Sequence, residues 1–232
     1  IGHDAAAVAI EDGRPVFAIE EERLNRLKHF MGAPQLAVRA CAEAAGVPLR
    51  DMGLAYYLDA DDEHRARRVA ALKPLVSAEV LATVEADYAY VQRTIASNAE
   101  RWPGIHGVNH HVAHAASAFY CSGFDRALIL VVDGQGESAS TTLMLGDPQG
   151  LHPICEYSVA SSLGILYAAV TAFLGFEPIE DEYKIMGLAA YGDSDDYKAF
   201  FDGMIEDAGD GGFAIPSLVK PTVFRLREWT KS

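Results

Sequence analysis

The run Ala127-Leu-Ile-Leu-Val-Val132, which stops at Asp133-Gly134-Gln135-Gly136-Glu137, constrains this chain more than any other stretch. An uninterrupted apolar run rich in β-branched residues reads as a strand buried on both faces, and such a strand needs a layer on each side of its sheet. It ends in an acid at a glycine-bearing turn, and strand ends are where α/β folds collect ligands. The expected fold class is therefore α/β.

The flanking sequence agrees. Ala6 to Ile10, the Asp12-Gly13 turn signal and Val16 to Ile19 predict a β-hairpin. Residues 34–46 read as a helix with Pro at its start and Gly at its end. Short strands are expected near 54–58 and 105–109, with helix over 62–99 interrupted at Pro74. Within it Leu81, Val84, Tyr88, Val91 and Ile95 lay one apolar stripe along a helix, which reads as core. Thr141 to Leu145, the Asp147–Gly150 turn and Ile154 to Val159 predict a second hairpin, followed by helices over about 161–175, 182–191 and 194–207. GHD followed by a hairpin opens the chain, and DGQGE followed by a hairpin reopens it at Asp133. This weak architectural echo suits two similar lobes.

NHHVAHAASAFY, residues 109–120, holds three of the eight histidines. His110 and His114 are four apart and share one helix face, the spacing at which one turn gives a divalent metal two nitrogens. Val112 and Ala113 stand where a zinc protease would carry its glutamate, so peptide hydrolysis is disfavoured. Asp133 offers an oxygen ligand. Two imidazoles and a carboxylate with open positions suit Fe(II), and also Zn or Mn. The alternative is that these histidines only cap and pack a helix, and His111 in particular reads as structural.

Other candidates each carry a plain alternative. The glycines of DGQGE let backbone amides approach a phosphate, or simply form a strand-exit turn. His3 beside Asp4 reads as a general base, or as a loop histidine. The charge run 20–29, EEERLNRLKH, offers Glu21, Arg23, Lys28 and His29 as substrate-binding groups lining a cleft, or as a solvated face. Lys184, amid apolar residues of 181–192, meets a phosphate or snorkels to the surface.

Composition removes several functions. A formal net charge of −14, from 33 acids against 19 Lys plus Arg, repels nucleic acid. It also repels anionic substrates, so a phosphate ligand needs a local cation, a metal or backbone amides. No apolar run approaches the roughly 20 residues of a membrane span. Three scattered cysteines, Cys41, Cys121 and Cys155, suit a reduced, cytoplasmic protein.

Five stretches, GHDAAAVAIEDG, EEERLNRLKH, NHHVAHAASAFYCSGF, ALILVVDGQGE and EYKIMGLAAYG, resemble in sequence and order the O-carbamoyltransferase family of antibiotic and nodulation-factor carbamoyltransferases. The resemblance implies an actin-like ATPase/sugar-kinase fold (duplicated ribonuclease H-like), similar to tRNA threonylcarbamoyl-transfer proteins. Residues 1–126 are then expected as the first lobe and 127–232 as the start of the second. The rest of that lobe and a C-terminal adenylate-forming domain are expected in a longer polypeptide. The implied chemistry uses carbamoyl phosphate and ATP, with Mg2+, and passes through carbamoyl-adenylate to a hydroxyl acceptor.

By motif match, His110, His114 and Asp133 would hold an iron-like ion. His3, with Asp4, would be the base. Gly134, Gly136, Glu137, Lys184 and Gly187 would line the nucleotide pocket. A secondary-metabolite acceptor is the expected partner, with a homodimer allowed. A small-molecule kinase on the same scaffold and a noncatalytic nucleotide-binding module are the competing readings.

Overall fold

The computed structural model describes residues 4–30, 32–57, 62–73, 78–98, 105–178, 180–209 and 212–215. In chain order the elements are β1 (Ala6–Glu11), β2 (Arg14–Glu20), α1 (Glu21–Asn25), α2 (Gln35–Ala45), β3 (Ala55–Tyr57), α3 (Asp62–Leu72), α4 (Ala78–Asn98), β4 (His106–Val108) and α5 (His110–Tyr120). There follow β5 (Ala127–Val132), β6 (Ala139–Asp147), β7 (Gly150–Ser158), α6 (Leu163–Phe173), α7 (Glu182–Ala189), α8 (Lys198–Asp202), β8 (Glu206–Gly209) and β9 (Gly212–Ala214). The class is mixed α/β. Two packing units divide the chain, one from residues 1–60 and 86–109, the other from 61–85 and 110–232. Their boundaries differ from those of the lobes expected at 1–126 and 127–232. Among the described residues no helix is long and apolar enough to cross a membrane. The three cysteines are unbonded.

In the first unit β1 and β2 pair antiparallel through a turn at Asp12 and Gly13, both at positive φ, which matches the twist of a two-residue hairpin. α2 lies against this hairpin and buries Ala37, Cys41 and Ala42, while Ala5 and Ala9 are buried in the same unit. Small side chains permit the close approach. Gly46 ends α2 in the left-handed conformation, which a residue without Cβ adopts at low cost.

The N-cap of α2 is Pro34, which has no capping side chain. Glu21 supplies the acceptor instead. It is only 3% exposed, and its two carboxylate oxygens accept the Ala37 N–H at 2.8 Å and the Leu36 N–H at 3.2 Å. Its charge also faces the positive end of the helix dipole. Replacing Glu21 by Ala orphans one buried and one part-buried donor, and we expect a loss of about 2 kcal/mol in urea denaturation. Glu21→Gln keeps an acceptor and is expected to lose about half as much.

In the second unit β5, β6 and β7 form an antiparallel sheet in that order. α5 packs on one face. Ala115 and Phe119 meet Ile129, Val131 and Met144, with Val112 and Leu151 at the margin. This corrects the expectation that β5 is buried on both faces. Leu128 is 68% and Leu130 65% exposed, and Val132 shares their side. An unbroken apolar run does not reveal that a strand has one covered face. The pleat alternates side chains, and only the odd-numbered positions meet α5.

Two other expectations also change. The third helix, expected over 194–207, is confined to α8, because residues 206–209 form β8 and pair antiparallel with β9. Of the stripe on α4, Leu81 is half-buried, and the side chains of Val84, Tyr88, Val91 and Ile95 lie outside the described residues.

Candidate metal centre

α5 begins at His110, so its first turn carries His110 and His114 on one side. The antiparallel β5–β6 pairing carries the chain to Asp133 at the strand's end. The three side chains converge. His110 Nε2 lies 2.5 Å from Asp133 Oδ2, His114 Nε2 lies 3.1 Å from His110 Nε2, and His114 Nε2 is 3.6 Å from Asp133 Oδ2. An ion held by imidazole at about 2.0–2.1 Å and carboxylate at about 2.0–2.2 Å keeps its ligands roughly 3 Å apart. The donor set therefore fits a divalent ion in both chemistry and spacing. Burial alone would raise the pKa of Asp133. The hydrogen bonds from His110 and the Gly134 N–H, with the nearby imidazoles, outweigh that and hold it below the usual carboxylate value. An ionised carboxylate is the form a cation needs.

The surroundings fix these three groups. Glu137 is 2% exposed, and its Oε1 accepts the His110 N–H at 2.8 Å. His111 turns the other way: its Nδ1 lies 2.6 Å from Thr142 Oγ1, and burial first, then the charge of His110, lowers its pKa and favours the neutral ring. The ring also presses on the loop, since a Cβ at Gly136 would stand 3.0 Å from it. From the other side Ser162 caps α6 by accepting the Ile165 N–H, while its hydroxyl donates to the Gly134 carbonyl at 2.6 Å. These contacts make the centre part of the framework and not a mobile loop.

The residues expected to line a nucleotide pocket make the following contacts. The Gly134 N–H donates to Asp133 Oδ1 at 2.6 Å and the Gly136 N–H to the Ala139 carbonyl at 2.7 Å, so both amides close the loop on itself. Glu137 anchors a helix end. Lys184 Nζ is 2.6 Å from Asp181 Oδ1, one turn earlier, and that hydrogen bond is the main reason its pKa rises. A Cβ at Gly187 would meet open space.

In the first unit Glu21, expected to bind substrate, is instead the buried cap of α2. Arg23 is exposed and pairs with Glu20 at 2.9 Å, and Lys28 is exposed. His29 Nδ1 lies 2.9 Å from Asp4 Oδ1, and its N–H donates to Glu22 Oε2 at 2.9 Å. Asp4 thus has an imidazole partner 25 residues away in sequence. His3, the expected base, lies outside the described residues. Asp4, Glu22 and His29 form a second group whose donor atoms lie within 4.8 Å of one another.

Sequence reasoning missed the carboxylates that grip α2 and α5, the Asp4–His29 pair, and Arg68, whose Nη2 donates to Gln135 Oε1 at 2.5 Å. Only Ser162 left a signal, a serine just before a helical run.

The pattern of the carbamoyltransferase N-terminus family matches residues 1–215. The chain belongs to that family. It is 37% identical over 97% of its length to the nodulation protein NolNO of Sinorhizobium fredii, covering 33% of that protein. An uncharacterised Synechocystis protein is 32% identical over 92% of the chain, which covers 37% of it. An uncharacterised Methanocaldococcus jannaschii protein is 27% identical over 84%, with 33% covered. The chain thus spans about a third of the length of these curated relatives.

Proposed function

We propose that the polypeptide is an ATP-dependent O-carbamoyltransferase. It moves a carbamoyl group from carbamoyl phosphate, through carbamoyl-adenylate, to a hydroxyl of a natural-product acceptor in the reduced cytoplasm. The convergence of His110, His114 and Asp133 carries this reading, because a sugar or acetate kinase has no need of an imidazole pair at a strand end. An actin-like architecture is part of the same proposal. Its support is the doubled motif, a hairpin laid on α2 in one unit and a hairpin-bearing sheet laid on α5 in the other.

A divalent ion, Fe2+ by preference with Zn or Mn as alternatives, would supply Lewis acidity and orientation to the phosphate of the mixed anhydride. The chain's own residues do the remaining work. His110 and His114 present nitrogens from one helix turn, and Asp133 presents an ionised oxygen. Glu137 and Ser162 hold helix and turn so that these donors keep their spacing. The acceptor oxygen attacks the carbamoyl carbon, the carbon–oxygen bond to phosphate breaks, and AMP leaves. The hydroxyl proton passes to a base, assigned to His3.

The test is mass spectrometry of the full polypeptide incubated with ATP, carbamoyl phosphate and a panel of hydroxylated natural products. An acceptor that gains one carbamoyl group in place of a hydrogen, with AMP formed, is the expected result. A phosphorylated acceptor formed with Mg2+ alone overturns the reading in favour of a kinase. Nucleotide binding with carbamoyl phosphate left unconsumed overturns it in favour of a noncatalytic module.

A further inference from the structure

Asp4, Glu22 and His29 come from three places in the first unit: the entry to β1, α1, and the loop between α1 and α2. The main chain gathers them through Ala5. Its N–H donates to the Phe30 carbonyl at 3.3 Å, and its own carbonyl accepts the Glu21 N–H at 2.8 Å. Each of the three residues is therefore next in sequence to one that these two bonds tie down. Asp4, at φ 54°, and His29, at φ 52°, both stand in the left-handed region, which costs a residue with a Cβ about 1 kcal/mol or more. In that conformation their side chains meet, His29 Nδ1 lying 2.9 Å from Asp4 Oδ1. A proton on the ring would balance one carboxylate. Glu22 brings a second, with its side chain only 19% exposed and its Oε2 accepting the His29 N–H at 2.9 Å. Arg23 answers that charge weakly: its Nη2 is 3.7 Å from Glu22 Oε1, its side chain is 66% exposed, and its Nε is already on Glu20 at 2.9 Å.

We propose that Asp4, Glu22 and His29 form a second divalent-cation site, separate from the His110–His114–Asp133 centre, that clamps the start of β1 to the loop before α2. The three donor atoms lie within 4.8 Å of one another. Ligands held about 2.0–2.2 Å from one ion stand roughly 3 Å apart, the spacing the Asp4–His29 pair already has. Two carboxylates suit Mn2+ and an imidazole suits Zn2+, so the set is matched to a first-row divalent ion. Water completes the coordination, because the Asp4 and His29 side chains are 50% and 46% exposed. Binding bridges positions 25 residues apart and stabilises the first unit by mass action. Exposure also keeps the ion exchangeable, with a Kd on the order of 10–100 µM, so this site empties on dialysis. The claim does not rest on the carbamoyl-transfer reading, and its failure would leave that reading untouched.

The test uses the full polypeptide carrying His110→Ala and His114→Ala, dialysed free of metal and titrated with Mn2+, the free ion being read from its paramagnetic resonance signal. One ion per chain should bind with a Kd of about 10–100 µM. Adding Asp4→Asn or His29→Gln to that protein should weaken this step by ~10-fold or more. Glu22→Gln keeps an acceptor for the His29 N–H and removes only the charge, so it reads the same loss if either of the other variants misfolds. His152→Ala, which removes an exposed imidazole beside Asp147, should leave the step unchanged. No step in this range overturns the proposal, and so does a step that survives any of the three substitutions at Asp4, Glu22 or His29 unchanged.

Discussion

Replacing His110 and His114 together by alanine is expected to remove the metal ion and leave the protein folded. Losing even a group that orients a ligand costs about 10–100-fold in metal affinity, so losing two of three ligands exceeds that range. Metal content after dialysis should fall from one ion per chain to background. The fold should survive because neither imidazole belongs to the apolar cluster under α5, which is built by Ala115, Phe119, Ile129, Val131 and Met144. Alanine is also the better helix former. One change should accompany the loss. Asp133 is held below the ordinary carboxylate value largely by its hydrogen bond from His110, so its pKa should rise in the double variant. A folded-state carboxylate pKa that is depressed stabilises the protein above the unfolded value, and that contribution fades as pH falls through the folded one. The double variant should therefore lose less stability on acidification than the metal-free parent. His152→Ala is the control, because its imidazole pairs with Asp147 at 3.1 Å and touches none of the three ligands in the observed contacts. One ion per chain still bound by the double variant would place the metal elsewhere.

The convergence of His110, His114 and Asp133 was legible because each rests on a short-range rule. A spacing of four puts two imidazoles on one helix face, and an apolar run ending in an acid marks a strand terminus. The hairpin at Asp12-Gly13 and the Pro34 and Gly46 limits of α2 were equally local, since backbone preference at one or two residues decides them. The parts that could not be read depend on what lies opposite. Glu21 and Glu137 look like surface acids in sequence. Each is buried because a helix N-terminus faces it with unpaired amides, and no pattern around the glutamate records that. Arg68 meets Gln135 across 67 residues and was indistinguishable from Arg65 and Arg67 in a charged run. The half-exposed state of β5 was hidden for a related reason: Leu128 and Ile129 are alike in composition, and only the position of α5 separates them.

Gly164→Ala should show how closely the centre depends on its surroundings. A Cβ at Gly164 would stand 2.6 Å from both the Cα and the N of Gly134, and 3.0 Å from the carbonyl carbon of Asp133. These are backbone atoms and cannot swing aside as a side-chain end would, so α6 must withdraw from the turn. Withdrawal lengthens the 2.6 Å bond from Ser162 to the Gly134 carbonyl and releases the neighbouring Asp133, the proposed oxygen ligand. Overpacking of this kind costs about 1–3 kcal/mol, and the strain falls at the upper end when only backbone can yield. Glycine to alanine in a helix returns up to ~1 kcal/mol, and less in the first turn, where Gly164 lies, so strain wins. Urea denaturation should show a net loss of about 2 kcal/mol, and titration with Zn2+ an affinity lower by ~10-fold or more, the scale of a lost orienting contact. Gly187→Ala isolates the propensity effect, because a Cβ there meets nothing within 4 Å, and that variant should be as stable as the parent or more so. If Gly164→Ala matched Gly187→Ala in stability and the parent in metal affinity, α6 would not be pressed against the Asp133–Gly134 turn, and the rigidity ascribed to the centre would have no source on that side.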